Sequence, residues 1–308
     1  MLYGISSGIL WALDTILIGI ALNASPYFSV GSAVALAPFI STFLHDFVST
    51  IVVSLYLTIK GKLKIKDVSR KAIVVVALAA IIGGPIGMTS YISAINNVGP
   101  GLTSIISSIY PAVGVLLSVI FLKEKIKKHQ IIGLFICLIG VVLISYNSEA
   151  TETGNKIFGI IAASVTCLAW ASEAVIISHA LRNINIDDDL ALFIRQVSSS
   201  IFYGIILLPI LKAWPLTIQA INNDKIIYLI LASLFGTLSY LFYYKSINKI
   251  GASRAMPLNI SYTAWAIVFS AILLNEKLQI SQLVLVFVII GGSILASIED
   301  IGEIKKKD

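Results

Sequence analysis

Apolar residues in this chain run in long unbroken blocks, and polar residues gather in the short stretches between them. Blocks lie near residues 3–22, 32–59, 71–96, 100–122, 129–147, 157–181, 189–211, 225–248, 252–274 and 280–298. A hydrocarbon core about 30 Å thick needs roughly 20 apolar residues per helix, which is the length of these blocks. Barrel strands would instead alternate with a period of two, and these blocks do not. The pattern therefore predicts ten transmembrane helices, numbered 1 to 10 in chain order. Residues 1–22 lack the basic leading region of a signal peptide and are long enough to span, so they are expected to remain as helix 1.

Breaks inside the blocks carry further information. Gly83-Gly84-Pro85 in helix 3, Pro111 in helix 4 and Pro257 in helix 9 interrupt the hydrogen-bond ladder, and kinks are expected there. Gly84, Tyr91, Ile95, Asn96, Gly99, Tyr110, Glu124 and Lys125 recur 152 positions later as Gly236, Tyr243, Ile247, Asn248, Gly251, Tyr262, Glu276 and Lys277. Trp11-Ala12-Leu13-Asp14 recurs 159 positions later as Trp170-Ala171-Ser172-Glu173. A duplication of five helices per copy follows: residues 1–149, then 150–298, with 299–308 as a basic tail. An odd number of helices per copy turns the second copy upside down. The expected fold is an all-α membrane protein of ten transmembrane helices arranged as a 5+5 inverted repeat, the architecture of secondary transporters.

Composition agrees, with 57% hydrophobic residues, 12% charged residues and a mean hydropathy of +0.95. The net charge of +6 does not point to nucleic acid, because the bases sit in the connections. Lys60, Lys62, Lys64, Lys66, Arg70 and Lys71 crowd one, Lys123, Lys125, Lys127 and Lys128 another, and Lys305 to Lys307 the tail. Together with Arg182, Lys249 and Arg254 they mark one side, against Lys156, Lys212, Lys225 and Lys277 on the other. The positive-inside rule makes the richer side cytoplasmic, with both termini on it and the protein in the cell membrane. The inversion is visible here too: Phe121-Leu122-Lys123-Glu124-Lys125 continues into Lys127 and Lys128, whereas Leu273-Leu274-Asn275-Glu276-Lys277 has no basic extension. Cys137 and Cys167 read as packed thiols, and neither a metal nor a cofactor is expected.

The candidate chemistry lies within the spans. Trp11 with Asp14, and Trp170 with Glu173, place a ring and an acid on one helical face. Aromatic faces attract cations, and a carboxylate deep in a bilayer is costly enough to imply a task, so each pair suggests a site for an organic cation. A quaternary ammonium nitrogen donates no hydrogen bond, so its selectivity must come from desolvated ring faces. Tyr240, Tyr243 and Tyr244 share one face of helix 8, and Tyr262 and Trp265 share one face of helix 9; such stripes serve either core packing or a cavity wall. Glu173 has no basic partner on helix 6, which assigns it to substrate or coupling. His45 and Asp46 in helix 2 occupy the place of Arg195 and Gln196 in helix 7. An Asp46 to Arg195 ion pair is expected there, structural or coupling, with His45 suited to exchanging a proton near neutral pH. Lys245 is expected to snorkel towards the cytoplasm, and Trp214 and Tyr27 to anchor at interfaces.

Six blocks in order carry a resemblance: His45-Asp46-Phe47, Gly84-Pro85-Ile86-Gly87-Met88, Ile109-Tyr110-Pro111-Ala112, Ala169-Trp170-Ala171-Ser172-Glu173, Ile194-Arg195-Gln196-Val197 and Asn259-Ile260-Ser261-Tyr262. Through them the chain resembles the drug/metabolite transporter superfamily of EamA type, and within it the bacterial lic-type choline permeases. The resemblance implies proton-linked or facilitated uptake of choline, with the ammonium in an aromatic box. Trp11 and Trp170 would be its walls, closed by the helix 8 tyrosines and by Tyr262 or Trp265, with Tyr110 as the repeat mate of Tyr262. Glu173 would offset the charge or carry the coupling proton, while Asp14 departs from the family pattern. Two other classes stay open: an exporter of lipophilic cations, drugs or amino acids, and a membrane-embedded enzyme built on His45, Asp46 and Glu173. Neither a nucleophile, a metal-ligand spacing nor a phosphate-cradling loop supports the enzyme.

Overall fold

A computed structural model describes residues 1–22, 32–146, 154–275 and 277–299, and every regular element among them is helical. Tyr27, Glu276 and the lysines of the tail lie outside the described residues. Among the described residues, ten helices are long and apolar enough to cross a membrane: α1 (Leu2–Leu22), α2 (Ala35–Ile59), α3 (Arg70–Gly99), α4 (Gly101–Leu122), α5 (Lys128–Ser145), α6 (Lys156–Arg182), α7 (Asp188–Ile210), α8 (Ile226–Ile250), α9 (Ala252–Leu273) and α10 (Ile280–Ser297). A short helix, Trp214–Ile221, lies between α7 and α8. Large apolar side chains such as Leu55, Phe121, Phe135 and Phe287 point outward, as a lipid-facing surface requires. Serines, threonines and the ionisable groups of the spans collect inside, where Ser49 joins Gln196 of α7 to Thr237 of α8.

The repeat is visible in the backbone. α3 ends at Gly99 (φ 77°) and α8 at Gly251 (φ 85°), 152 positions apart. Both sit in the positive-φ region that disfavours any residue with a Cβ. Lys123 (φ 56°) and Asn275 (φ 55°) close α4 and the end of α9 at the same spacing. α4 slackens at Ser108 and Ile109 and α9 at Ser261, just before Tyr110 and Tyr262. The freed carbonyls there are recovered by hydroxyls, Ser108 donating to Ile105 O (2.9 Å) and Ser261 to Leu258 O (2.6 Å).

These breaks correct the expected positions of two kinks. Pro111 occupies the second position of the restarted helix, where its missing N–H has no partner to lose, so the break falls before it. Pro257 lies inside Ala252–Ile260, and the break comes a turn later at Ser261. Gly83-Gly84-Pro85 does distort α3, widening residues Ile82–Ile86 into a π-helical turn.

Helices pack mainly on the opposite repeat. α1 lies on α8 and its mate α6 on α3, while α2 faces α7 and α5 faces α10. The interior between them belongs equally to both halves.

Candidate substrate cavity

Where these cross-repeat pairs meet, a cavity of about 190 Å³ opens near mid-span, lined from α1, α2, α3, α4, α6, α7, α8 and α9. Its walls are aromatic. Trp11 meets Tyr240 edge to face, with centroids 5.0 Å apart, and Tyr262 at 6.4 Å. Across the pseudo-twofold, Trp170 meets Tyr110 at 6.1 Å and Tyr91 at 5.4 Å. Each tryptophan thus leans on tyrosines of the other repeat. The Trp170 indole donates to Gly83 O (3.2 Å) within the widened turn of α3, which holds the ring in place. Tyr243 and Tyr244 complete the α8 wall.

The acids are seated by the same symmetry. Glu173 Oε1 accepts from Arg195 Nε at 3.0 Å, so its basic partner comes from α7 and the expectation of an unpaired acid is corrected. Helix 6 alone does not reveal this, because the two side chains approach only when α6 and α7 pack. Arg195 Nη1 also donates to Asp46 Oδ2 (3.2 Å) and Gln196 Oε1 (2.7 Å), and its guanidinium lies 4.7 Å from the centre of the Tyr240 ring. Asp46 accepts a further bond from Ser199 (2.6 Å). Asp14 Oδ1 faces His45 Nε2 at 3.4 Å, and His45 Nδ1 lies 3.2 Å from Asp46 Oδ1. Asp14, His45, Asp46 and Arg195 are each no more than 5% exposed.

Glycines make the room. A Cβ on Gly83 would lie 1.7 Å from Glu173 Oε2, and one on Gly236 would lie 2.2 Å from His45 Nε2. α3 therefore makes space for the acid of α6, and α8 makes space for the partner of the α1 acid.

Of the residues expected from sequence, Trp11, Asp14, His45, Asp46, Tyr110, Trp170, Glu173, Arg195, Tyr240, Tyr243, Tyr244 and Tyr262 line this one cavity. Two do not. Trp265 lies a turn beyond Tyr262 on the restarted half of α9 and does not line the cavity. Gln196 turns away into α2, donating to Ser49 at 2.7 Å. Lys245 is not simply extended towards water but pairs with Asp189 Oδ1 at 3.4 Å. Trp214 packs on Phe43 and donates to Gly204 O (3.2 Å), which fastens the short helix to α7.

Asn259 is a cavity residue to which the sequence reading gave no role. Its Oδ1 accepts from Tyr110 (3.2 Å), and its Nδ2 donates to Ser7 (2.9 Å). A lone amide in mid-span, two residues after Pro257, was the available signal.

The face bearing the 60–69 and 123–127 connections is tied across the repeats. Glu124 accepts from Arg182 Nη1 (2.8 Å) and from both the backbone N–H (3.2 Å) and the hydroxyl of Ser253. Lys62 lies near Asp187 (3.5 Å) and Asp189 (3.6 Å), whose carboxylates hold its ammonium above the usual lysine range. Towards this face Tyr244 and Ile247 are fully buried, whereas Ile18, Thr42 and Met88, towards the other, are partly exposed.

The sequence profile of the EamA-like transporter family matches residues 1–146 and again 157–298, one match per repeat. The chain is 32% identical to Protein LicB of Haemophilus influenzae over 295 residues, which is 96% of each protein. It is 29% identical over 189 residues to an uncharacterized transporter of Archaeoglobus fulgidus, covering 59% of this chain and 62% of that one. A solved crystal structure superposes with a TM-score of 0.71 at 16% identity, covering 96% of this chain and 95% of the other, a likeness of fold. Two family matches laid on two five-helix halves agree with the duplication, and the family is one of transporters, not enzymes. This chain belongs to the EamA-like transporter family.

Proposed function

We propose that this transporter takes up choline, or a closely related quaternary ammonium compound, by alternating access around the central cavity. The observation that carries the reading is the enclosure of one small volume by Trp11, Trp170, Tyr110, Tyr240, Tyr243 and Tyr262 beside the Glu173 carboxylate. Ring faces in a dry site hold a trimethylammonium group that offers no hydrogen-bond donor on nitrogen, each contributing about 2 kcal/mol. The volume of about 190 Å³ lies below the roughly 300 Å³ at which pockets for drug-sized ligands begin, which favours a small metabolite over a lipophilic drug. The resemblance carried by the six sequence blocks points to the same substrate.

The arrangement of the two faces supports alternating access. Ion pairs between repeats and fully buried Tyr244 and Ile247 close the basic-loop face, which the positive-inside rule makes cytoplasmic. The same interactions exchanged across the pseudo-twofold would close the other side. Import is then loading from outside followed by opening towards the basic loops, with choline and a coupling proton as the transported species.

Calorimetric titration of the purified protein with choline, betaine and an uncharged isostere tests the reading. Choline is expected to bind saturably and the isostere not at all. Betaine is expected to bind more weakly, because Asp14 and Glu173 repel its carboxylate. Folded protein that ignores choline, combined with resistance of expressing cells to toxic cations, sinks the reading in favour of an exporter.

A further inference from the structure

The two repeats place an acid and a base in equivalent positions, yet with different chemistry. In the second repeat Glu173 of α6 pairs with Arg195 of α7 at 3.0 Å. In the first, Asp14 of α1 faces His45 of α2 at 3.4 Å. Glu173 fits against Gly83 of α3, and His45 fits against Gly236 of α8, the counterpart helix. The geometry is one pair copied by the duplication, with a permanent base in one copy and a titratable base in the other.

The pairs also differ in how well they are satisfied. Glu173 and Arg195 share a hydrogen bond that is aligned and supported by Asp46 and Gln196. Asp14 Oδ1 and His45 Nε2 are buried without any hydrogen-bond partner among the described residues, although they point at each other. Buried polar atoms of this kind need an explanation. His45 lies between two carboxylates, Asp14 at Nε2 and Asp46 at Nδ1, and a neutral imidazole carries hydrogen on only one of these nitrogens, so one further proton makes both contacts donor to acceptor.

Charge bookkeeping gives the stoichiometry. Among the described residues Asp14, Asp46 and Glu173 face only one permanent cation, Arg195, so with a neutral imidazole two negative charges stay uncompensated. The other ionisable groups lining the cavity with His45 are the phenols Tyr110, Tyr240, Tyr243, Tyr244 and Tyr262, which carry no charge near neutral pH. Occluding the cavity removes water from all of these groups, and the desolvation cost of net charge is then least when the cluster is neutral. One organic monocation and one proton achieve that.

We propose that Asp14 and His45 form a proton site beside the aromatic walls of the same cavity, and that the transporter occludes with one organic cation and one proton aboard. The inference rests on the choline reading for the identity of the cation but not for the existence of the proton site. It changes the expected role of Asp14 from substrate ligand to proton partner.

The test is paired flux in proteoliposomes containing a pH-sensitive dye, with choline supplied outside at equal internal and external pH. Wild-type protein is expected to acidify the interior by about one proton per choline taken up, and His45→Gln to lose that ratio. Choline uptake by wild type without acidification, or an unchanged ratio in His45→Gln, overturns the proposal. A substrate-free readout covers variants that pass no choline: a pH-dependent step in Trp11 fluorescence, assigned by its loss in Trp11→Phe. That step should vanish in His45→Gln and Asp14→Asn and persist in Glu173→Gln. Its survival in both of the first two variants overturns the proton site, whereas its presence in a wild type that ignores choline leaves the site standing and removes only the choline reading.

Discussion

Asp14 and Glu173 occupy matched positions, but the side chains around them give them different work. Trp11 and Trp170 contribute ring faces to one cavity, so Trp11→Ala and Trp170→Ala should each weaken choline binding by about 2 kcal/mol, roughly 30-fold in Kd, measured calorimetrically. Gly83 tests the seat of Glu173. The Cβ of Gly83→Ala would overlap Glu173 Oε2, so this variant should lose choline binding, while Gly19→Ala, with nothing within 4 Å of its new carbon, should leave binding unchanged. Arg195 tests the pair itself. Arg195→Met strands Glu173 and Asp46 in the interior and should destabilise the protein by about 3–5 kcal/mol, visible as a lowered unfolding temperature in detergent. An unfolding temperature equal to wild type would mean that the acids take up protons when the guanidinium is gone.

At the scale of elements, the breaks position these side chains. Tyr110 and Tyr262 each stand immediately after a slackened turn, as the first residue of the restarted half of α4 and of α9. Prolines announce such breaks without fixing their position, because a proline is comfortable in the first turn of a new helix and the lost carbonyl bonds are absorbed by nearby serines. Gly99 and Gly251 end α3 and α8 with a backbone that only glycine adopts at little cost. Gly251→Ala should cost about 1–3 kcal/mol from its positive-φ, extended backbone alone. The new Cβ would also lie 2.5 Å from Glu124 Oε1, so the cost should be smaller in a Glu124→Ala background. Comparing unfolding temperatures with and without Glu124→Ala checks this, and an equal cost would mean that Glu124 swings aside freely.

For the whole molecule, the distribution of cross-repeat contacts sets the state described here. Glu124 joins α4 of the first repeat to α6 and to the α8–α9 turn of the second, so it fastens the basic-loop face through three bonds. Glu124→Ala should loosen that face. In a protein whose two native cysteines are replaced, a cysteine introduced by Ile247→Cys should then react faster with a water-soluble thiol reagent than it does with Glu124 intact. Equal rates would mean that apolar packing around Tyr244, not the ion pairs, closes the path.

The apolar run lengths by themselves determined ten spans, and residues recurring at a spacing of 152 determined a duplication whose odd helix count inverts it. They could do so because span length and repetition are properties of the chain in one dimension. The residue types of the cavity were legible for the same reason, since an acid or an indole in mid-span stands out against its apolar neighbours. The Asp46–Arg195 pair was legible from the repeat, but tertiary structure decided the other meetings. Arg195 also reaches Glu173 across 22 residues, Asn259 ties Tyr110 to Ser7, and Trp265 falls outside although it shares a helix face with Tyr262. Those outcomes depend on how α1 settles on α8 and α6 on α3, and on the glycines that let them approach, a distance between repeats that local hydropathy does not record.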